Sequence, residues 1–161
     1  MRKLSQIRIK DFYEIDEEPP IVISQADEFV KVIKIFLDSS ELRGIFVTDL
    51  DGQFVGVITR SDLLDWARVQ VGDYFGEGGQ SSDKTMRLSN IIRATTVGEI
   101  LNPNSVIAAV RLEDTAKDAM GKMVQLNTIV IPVIDEDNQI IGDIKLSEIL
   151  AASLEDKSIP K

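Results

Sequence analysis

Two short segments of this 161-residue chain carry side chains spaced for chemistry: Thr59-Arg60-Ser61-Asp62 and Lys145-Leu146-Ser147-Glu148. In the first, a hydroxyl and a carboxylate stand three residues apart, just ahead of Leu63-Leu64. A carboxylate in the first turn of a helix can accept hydrogen bonds from both hydroxyls of a sugar diol, and the threonine hydroxyl can bond a sugar or a phosphate. Helix N-terminal amides add a positive field suited to phosphate. The same spacing also reads as a capping box, with Asp62 tying down the helix's own first turn. On these four residues alone the cap is the commoner reading, and the two roles can coexist. The second segment keeps a negative charge in Glu148, one methylene longer. Its Lys145 gives up the hydroxyl for a cation that can meet a phosphate or simply point into water, leaving its cleft empty.

The composition removes several kinds of chemistry. Without histidine or cysteine there is no thiol nucleophile, disulfide, imidazole base or ordinary zinc site, so only oxygen ligands for Mg²⁺ or Ca²⁺ remain. A net charge of −9 disfavours binding along a nucleic-acid backbone, which depends on clustered Lys and Arg. No apolar run approaches the ~20 residues that span a bilayer, and Met1-Arg2-Lys3-Leu4-Ser5-Gln6 lacks a signal-peptide core. The expectation is a cytoplasmic globular chain with no required cofactor, no nucleic-acid partner and no membrane contact.

What must position the two segments is a duplicated frame. Gly56-Val57-Ile58-Thr59-Arg60-Ser61-Asp62-Leu63-Leu64 returns as Gly142-Asp143-Ile144-Lys145-Leu146-Ser147-Glu148-Ile149-Leu150, an offset of 142 − 56 = 86. At the same offset Val47 to Gln53 matches Val133 to Gln139. With one residue of slippage, Phe29, Val32, Ile33, Phe36 and Leu37 fall on Ala116, Ala119, Met120, Met123 and Val124. Both sets follow the spacing of a helix's apolar stripe. Each copy therefore reads strand, helix, strand, strand, helix. Strands are predicted at 21–23, 45–47 and 54–58, then at 106–110, 129–133 and 139–144. Helices are predicted at 25–38 (capped by Ser24), 61–71, 114–126 and 147–154. Gly72 to Thr85, with four glycines, reads as a linker, 86–92 as a short connecting element and 155–161 as a frayed tail.

Three further signals have ordinary readings. Gly78 to Thr85 is a near miss to a phosphate-binding loop, with Asp83 in place of its second glycine and no preceding strand. Asp49-Leu50-Asp51-Gly52 resembles the start of a calcium loop, but the downstream ligands are missing and a hairpin turn fits better. No metal is assigned. Trp66, on the helix after the first motif, suits the core, the default place of a lone tryptophan.

The duplicated βαββα unit, each copy closing on a Gly-hydrophobic-hydrophobic-Thr-x-x-Asp type of segment, resembles the cystathionine β-synthase (CBS) domain. A tandem pair of these is called a Bateman module. The lead-ins Ile9-Lys10-Asp11-Phe12 and Val97-Gly98-Glu99-Ile100-Leu101 fit it, as does Ile131-Pro132-Val133, which stands as Ile45-Phe46-Val47 in the first copy. The resemblance implies a mixed α/β fold, two repeats packed sheet to sheet with pseudo-twofold symmetry, at 7–71 and 95–154 with 72–94 between them. It also implies a non-catalytic sensor for an adenosine-containing ligand: AMP, ADP or ATP before S-adenosylmethionine or NAD. Its first site would comprise Thr59, Asp62, Ile58 and Arg60 with Pro20, Ile21, Arg43 and Gly44. The second would comprise Lys145, Glu148 and Ile144 with Ile107, Arg111, Ile129 and Val130. A homodimer formed through the family's helices and a regulated protein partner are further implications. The alternatives are a ligand-free interaction scaffold and, least favoured, a Mg²⁺-dependent nucleotide hydrolase.

Overall fold

The two middle strands of the duplicated frame are apolar without alternation, the pattern of strands covered on both faces. In the computed structural model, which describes residues 1–15, 18–70 and 94–154, both are buried almost throughout. The first repeat runs β1 (Val22–Ser24), α1 (Phe29–Asp38), β2 (Gly44–Thr48), β3 (Phe54–Thr59) and α2 (Arg60–Gln70). A short α3 (Val97–Ile100) leads into the second repeat: α4 (Ala116–Leu126), β4 (Val130–Ile134), β5 (Ile140–Lys145) and α5 (Leu146–Leu154). β1 lies parallel to β2, with Val22 opposite Phe46, and β2 is antiparallel to β3, with Gly44 opposite Thr59. β4 and β5 repeat that hairpin, with Val130 opposite Lys145. The expected linker, its near-miss phosphate loop, the element at 86–92 and the tail lie outside the described residues.

The strand expected at 106–110 is corrected by the structure. Pro103–Ala108 forms a 3-10 turn, and only Val110 reaches the sheet, as a parallel bridge to Val133. Pro103 presets a helical φ, and the Asn102 side chain accepts the Asn104 amide. The Ser105 hydroxyl then accepts the buried amide of Val57 at 3.1 Å and donates to the Asn102 carbonyl at 2.7 Å, pinning the turn onto β3. α1 also starts later than expected, after Glu28. Ser24 and Asp27 instead close a local turn: Asp27 accepts the Ser24 amide and the Ser24 hydroxyl accepts the Ala26 amide. α4 begins after Thr115, which forms a capping box with Asp118, and stops at Asn127 in the left-handed region, φ 50°.

The lead-ins cross over. Ile7 and Ile9 bury themselves with Ala116, Ala119 and Met123 of the second repeat, and Val97 and Ile100 with Phe29, Val32 and Phe36 of the first. Backbone bonds fix the exchange: Ala116 donates to Ile7 and Ile9 to Asp114, while Phe29 donates to Thr95 and Val97 to Asp27, each at 2.9 Å. At the far end the hairpin turns meet about the same pseudo-twofold axis. Gln53 donates to the Asp137 carbonyl and Gln139 to the Asp51 carbonyl, both at 3.4 Å. Within β2 the pleat divides the cores: Ile45 and Val47 face the first repeat's helices, whereas Phe46 joins the cluster holding Val130, Ile131 and Ile144. That is the sheet-to-sheet contact.

Three carboxylates brace these junctions, and each is held below the ordinary range. Hydrogen bonds lower Asp118, chiefly from the Thr115 hydroxyl and then its amide. The amides of Thr96 and Thr95 lower Glu99, and the Lys31 ammonium, 2.7 Å away, lowers Asp27. The turn carboxylates Asp49 and Asp135 each accept two amides of their own hairpin, which is turn geometry and not a calcium loop. Trp66 stands edge-on to Phe29 at 5.9 Å and packs against the first repeat's core. Among the described residues, no helix is long and apolar enough to cross a membrane.

Candidate functional site

Two glycines at equivalent repeat positions let the sheets receive their neighbours closely enough to shape clefts. A Cβ on Gly56 would stand 2.4 Å from the Ser105 hydroxyl, and one on Gly142 would stand 2.0 Å from the Tyr13 hydroxyl. In each repeat the following strand residue leads straight into a helix, so the two chemically spaced segments sit where a strand end meets a first turn.

Asp62 accepts the Thr59 amide at 2.8 Å and the Thr59 hydroxyl at 3.0 Å, both on Oδ2. The capping arrangement is therefore present. In the second repeat the Lys145 amide donates to the Glu148 carboxylate, the same cap with a longer acid. Lys145 itself places its ammonium 4.0 Å from Asp143 Oδ1. Asp143 occupies the position that Val57 holds in the first repeat.

The structure regroups the expected site residues. Thr59 and Asp62 line a crevice of about 170 Å³ together with Ser61 and Asp65, and its opposite wall is Asn102, Ser105, Leu126 and Thr128 from the other half of the chain. Pro20, Ile21, Arg43 and Gly44 line a different cleft, of about 660 Å³, which is completed by Val130, Asp143 and Lys145. Each cleft thus pairs the strand entries of one repeat with the strand exit of the other. Residues expected to share a site within one repeat are divided between two cavities. Ile58 and Ile144 are buried core residues beneath the strand ends. Ile107 and Ile129 are exposed and line neither cavity, and the half-buried Glu148 lines neither as well.

Two of the three arginines considered are structural. Arg60 donates to the carbonyls of Ser39, Ser40 and Leu42 and lies over the Phe36 ring at 5.3 Å, closing the end of α1. Arg111 donates to the Asp135 carbonyl and the Asn138 side chain, bracing the β4–β5 turn. Arg43 is exposed at the mouth of the larger cleft. Sequence reasoning missed Asn102, Ser105 and Thr128, which come from the facing repeat. Asp143 was legible as a charge inside the otherwise apolar run from Ile140 to Ile144.

The clefts differ in charge. Among the described residues, the crevice is lined by Asp62 and Asp65 and by no lysine or arginine, whereas the larger cleft has Arg43 and Lys145 beside Glu18, Glu41 and Asp143. Among the described residues, no three acidic side chains gather in a way that could hold a metal ion.

The CBS domain model matches residues 10–68 and again 97–155. A CBS domain-containing protein of Thermotoga maritima is 21% identical with a TM-score of 0.65, covering 91% of this chain and 93% of its own. CBSX2, solved in complex with AMP, is 21% identical with a TM-score of 0.67, covering 94% and 99%. The CBS domain pair of protein MJ0100, solved with 5′-methylthioadenosine and S-adenosyl-L-methionine, is 19% identical with a TM-score of 0.57, covering 90% and 94%. A comparison with curated proteins returned no match. With two repeats whose lead-ins cross and the family's model fitting each half in turn, the chain belongs to the CBS domain family.

Proposed function

We propose that this CBS pair is a regulatory, non-catalytic module that binds an adenosine-containing ligand in the clefts between its repeats. The observation that carries the reading is the crevice in which Thr59 and Asp62 of one repeat face Asn102, Ser105 and Thr128 across the repeat boundary. Asp62 accepts the Thr59 amide and hydroxyl, and a carboxylate in the first turn of a helix is also the kind of acceptor to which a sugar hydroxyl donates. Similar proteins were solved with AMP and with 5′-methylthioadenosine and S-adenosylmethionine, which supports an adenosine ligand here.

A ligand touching both halves biases how they pack, in proportion to its differential affinity for the two arrangements. A second copy of the chain or a separate protein partner reads that change. The test is a set of thermal melts with AMP, ATP, S-adenosylmethionine and NAD. A ligand at ~100 times its dissociation constant adds about 2.7 kcal/mol of stability. Asp62→Ala should shrink the ligand-induced shift, measured against the variant's own ligand-free melt, because losing the cap lowers that baseline. If no member of the panel moves the melt, or the variant responds to all of them as the parent does, the proposal fails.

A further inference from the structure

Arg60 lines neither cavity, yet it stands between the two. Its chain neighbours Thr59, Ser61 and Asp62 line the crevice. Its side chain reaches the other way, to the loop between α1 and β2, residues 39–43. Nε donates to the Leu42 carbonyl at 3.0 Å, and Nη2 to the carbonyls of Ser39 at 3.2 Å and Ser40 at 2.6 Å. Ser39, Glu41, Leu42 and Arg43 of that same loop form a wall of the larger cleft. The backbone of one short segment thus borders one cleft, while a side chain from it holds a wall of the other.

The second repeat is built without such a clamp. Leu146 stands at the position of Arg60, a side chain with nothing to donate, and packs against the core. The matching loop, residues 127–129, has three residues against five and closes on itself. Asn127 takes the left-handed conformation, φ 50°, and the Thr128 amide donates back to the Met123 carbonyl at 3.0 Å. In the first repeat the turn bond from the Leu42 amide to the Ser39 carbonyl is long, 3.3 Å, and the Ser39 carbonyl also receives Arg60. A guanidinium suits this place, because its planar fork meets several carbonyls at once and a cation is favoured at the C-terminus of α1. The Phe36 ring, 5.3 Å from Cζ, adds a cation–π contact.

We propose that Arg60 is a positioning residue of the larger cleft, and that it relays the state of the Thr59–Asp62 turn to a ligand held there. At about 660 Å³ the larger cleft falls within the ~300–1,000 Å³ of sites that take a whole small molecule, whereas the crevice, at about 170 Å³, does not. A ligand in the larger cleft meets the loop that Arg60 holds, and not Arg60 itself. Whatever steadies or shifts the first turn of α2 moves the guanidinium, and with it that wall. The relation is reciprocal: contact in either cleft changes affinity in the other by the same factor. This rests on the reading that the clefts hold an adenosine ligand, and it names a route by which that binding is regulated.

The experiment is calorimetric titration of the full chain with AMP, ATP, S-adenosylmethionine and NAD. The tightest binder of the four then serves as the probe for Arg60→Met, Arg60→Lys, Thr59→Val and the double variant Arg60→Met/Thr59→Val. Arg60→Met should weaken the probe by about fivefold or more, the lower end of coupling between sites. Arg60→Lys should weaken it nearly as much, since an ammonium keeps the charge but not the fork. Thr59→Val removes the hydroxyl that donates to Asp62. It should weaken the probe in the parent, yet change it by less than about twofold in the Arg60→Met background. Hydrogen exchange without ligand supplies the control. Arg60→Met should quicken the amides of Ser39 and Leu42 and leave those of Asn127 and Thr128 as slow as in the parent, which also shows that the variant is folded. Parent-like probe binding by Arg60→Met, or unchanged exchange at Ser39 and Leu42, overturns the proposal. So does full recovery in Arg60→Lys, which would make Arg60 a charge felt directly by the ligand. A Thr59→Val effect that persists undiminished in the double variant also overturns it, by placing that hydroxyl on the ligand itself. If none of the four compounds binds the parent, the sensor reading fails and the relay with it; a probe that binds every variant alike sinks the relay alone.

Discussion

Gly56 offers a quantitative test of how the crevice is built, because an added methyl meets a hydrogen-bonded hydroxyl and not a yielding side chain. The new Cβ would lie 2.4 Å from Ser105 Oγ and 2.8 Å from Leu101 Cδ1, so at least one neighbour must move. If Ser105 moves, the Val57 amide loses its acceptor in a place where both residues are buried. Forcing a methyl into a packed interior costs about 1–3 kcal/mol. Stranding a buried amide costs about another 1–3 kcal/mol. Against this stands a gain of ~0.5–1 kcal/mol from restricting the unfolded chain. We expect Gly56→Ala to destabilise by about 1–5 kcal/mol, or roughly 2–20 °C for a chain of this size. Urea unfolding followed by far-ultraviolet circular dichroism measures it. Ser105→Ala alone strands the same amide and costs about 1–3 kcal/mol. Since both changes act through one hydroxyl, the double variant should cost less than their sum by about 1 kcal/mol or more. A loss below ~0.5 kcal/mol for Gly56→Ala, or strict additivity, would refute this account of the 3-10 turn and the crevice floor.

Gly142→Ala makes the parallel test in the second repeat. Its Cβ would meet the Tyr13 hydroxyl at 2.0 Å and break that group's bond to the Ile141 carbonyl, so the N-terminal lead-in should detach first. Hydrogen exchange at the amides of Ile9 and Ala116 should then quicken, while Phe29 and Val97 stay protected. The acid response follows from Asp118, Glu99 and Asp27, whose carboxyls are lowered in the fold. For a depressed acid the stabilisation is complete above the unfolded value of ~4 and is lost as pH falls through the folded one. Melting temperature should therefore drop below about pH 4, and Asp118→Asn should flatten that drop. An unchanged acid profile in the variant removes Asp118 as its source.

The repeat and its elements were readable in the chain itself because they are encoded locally. An offset of 86 aligns Val47 to Gln53 with Val133 to Gln139, and the stripes through Phe29 and Ala116 announce two helices of one kind. Thr59 and Asp62 were visible for the same reason, as a hydroxyl and an acid three residues apart. Local reading failed where a segment's conformation depends on a distant partner. The stretch 106–110 looked like a strand, but Ser105 bonds across to Val57 and the chain coils there instead. Gln25 to Asp27 looked helical, yet the carbonyls of Gln25 and Asp27 receive the second lead-in.

Local order along the chain encodes two like units, what each is made of, and which pairs of side chains carry charge or hydroxyls. Which residues share a cleft is set by long-range packing. The lead-ins cross and the sheets pack about a pseudo-twofold axis, so strand entries of one repeat lie against strand exits of the other. That brings Arg43 to Lys145 and sets Asp62 opposite Thr128, pairings of residues 102 and 66 positions apart. Periodicity reports which face of an element is buried, but it carries no information about what covers that face.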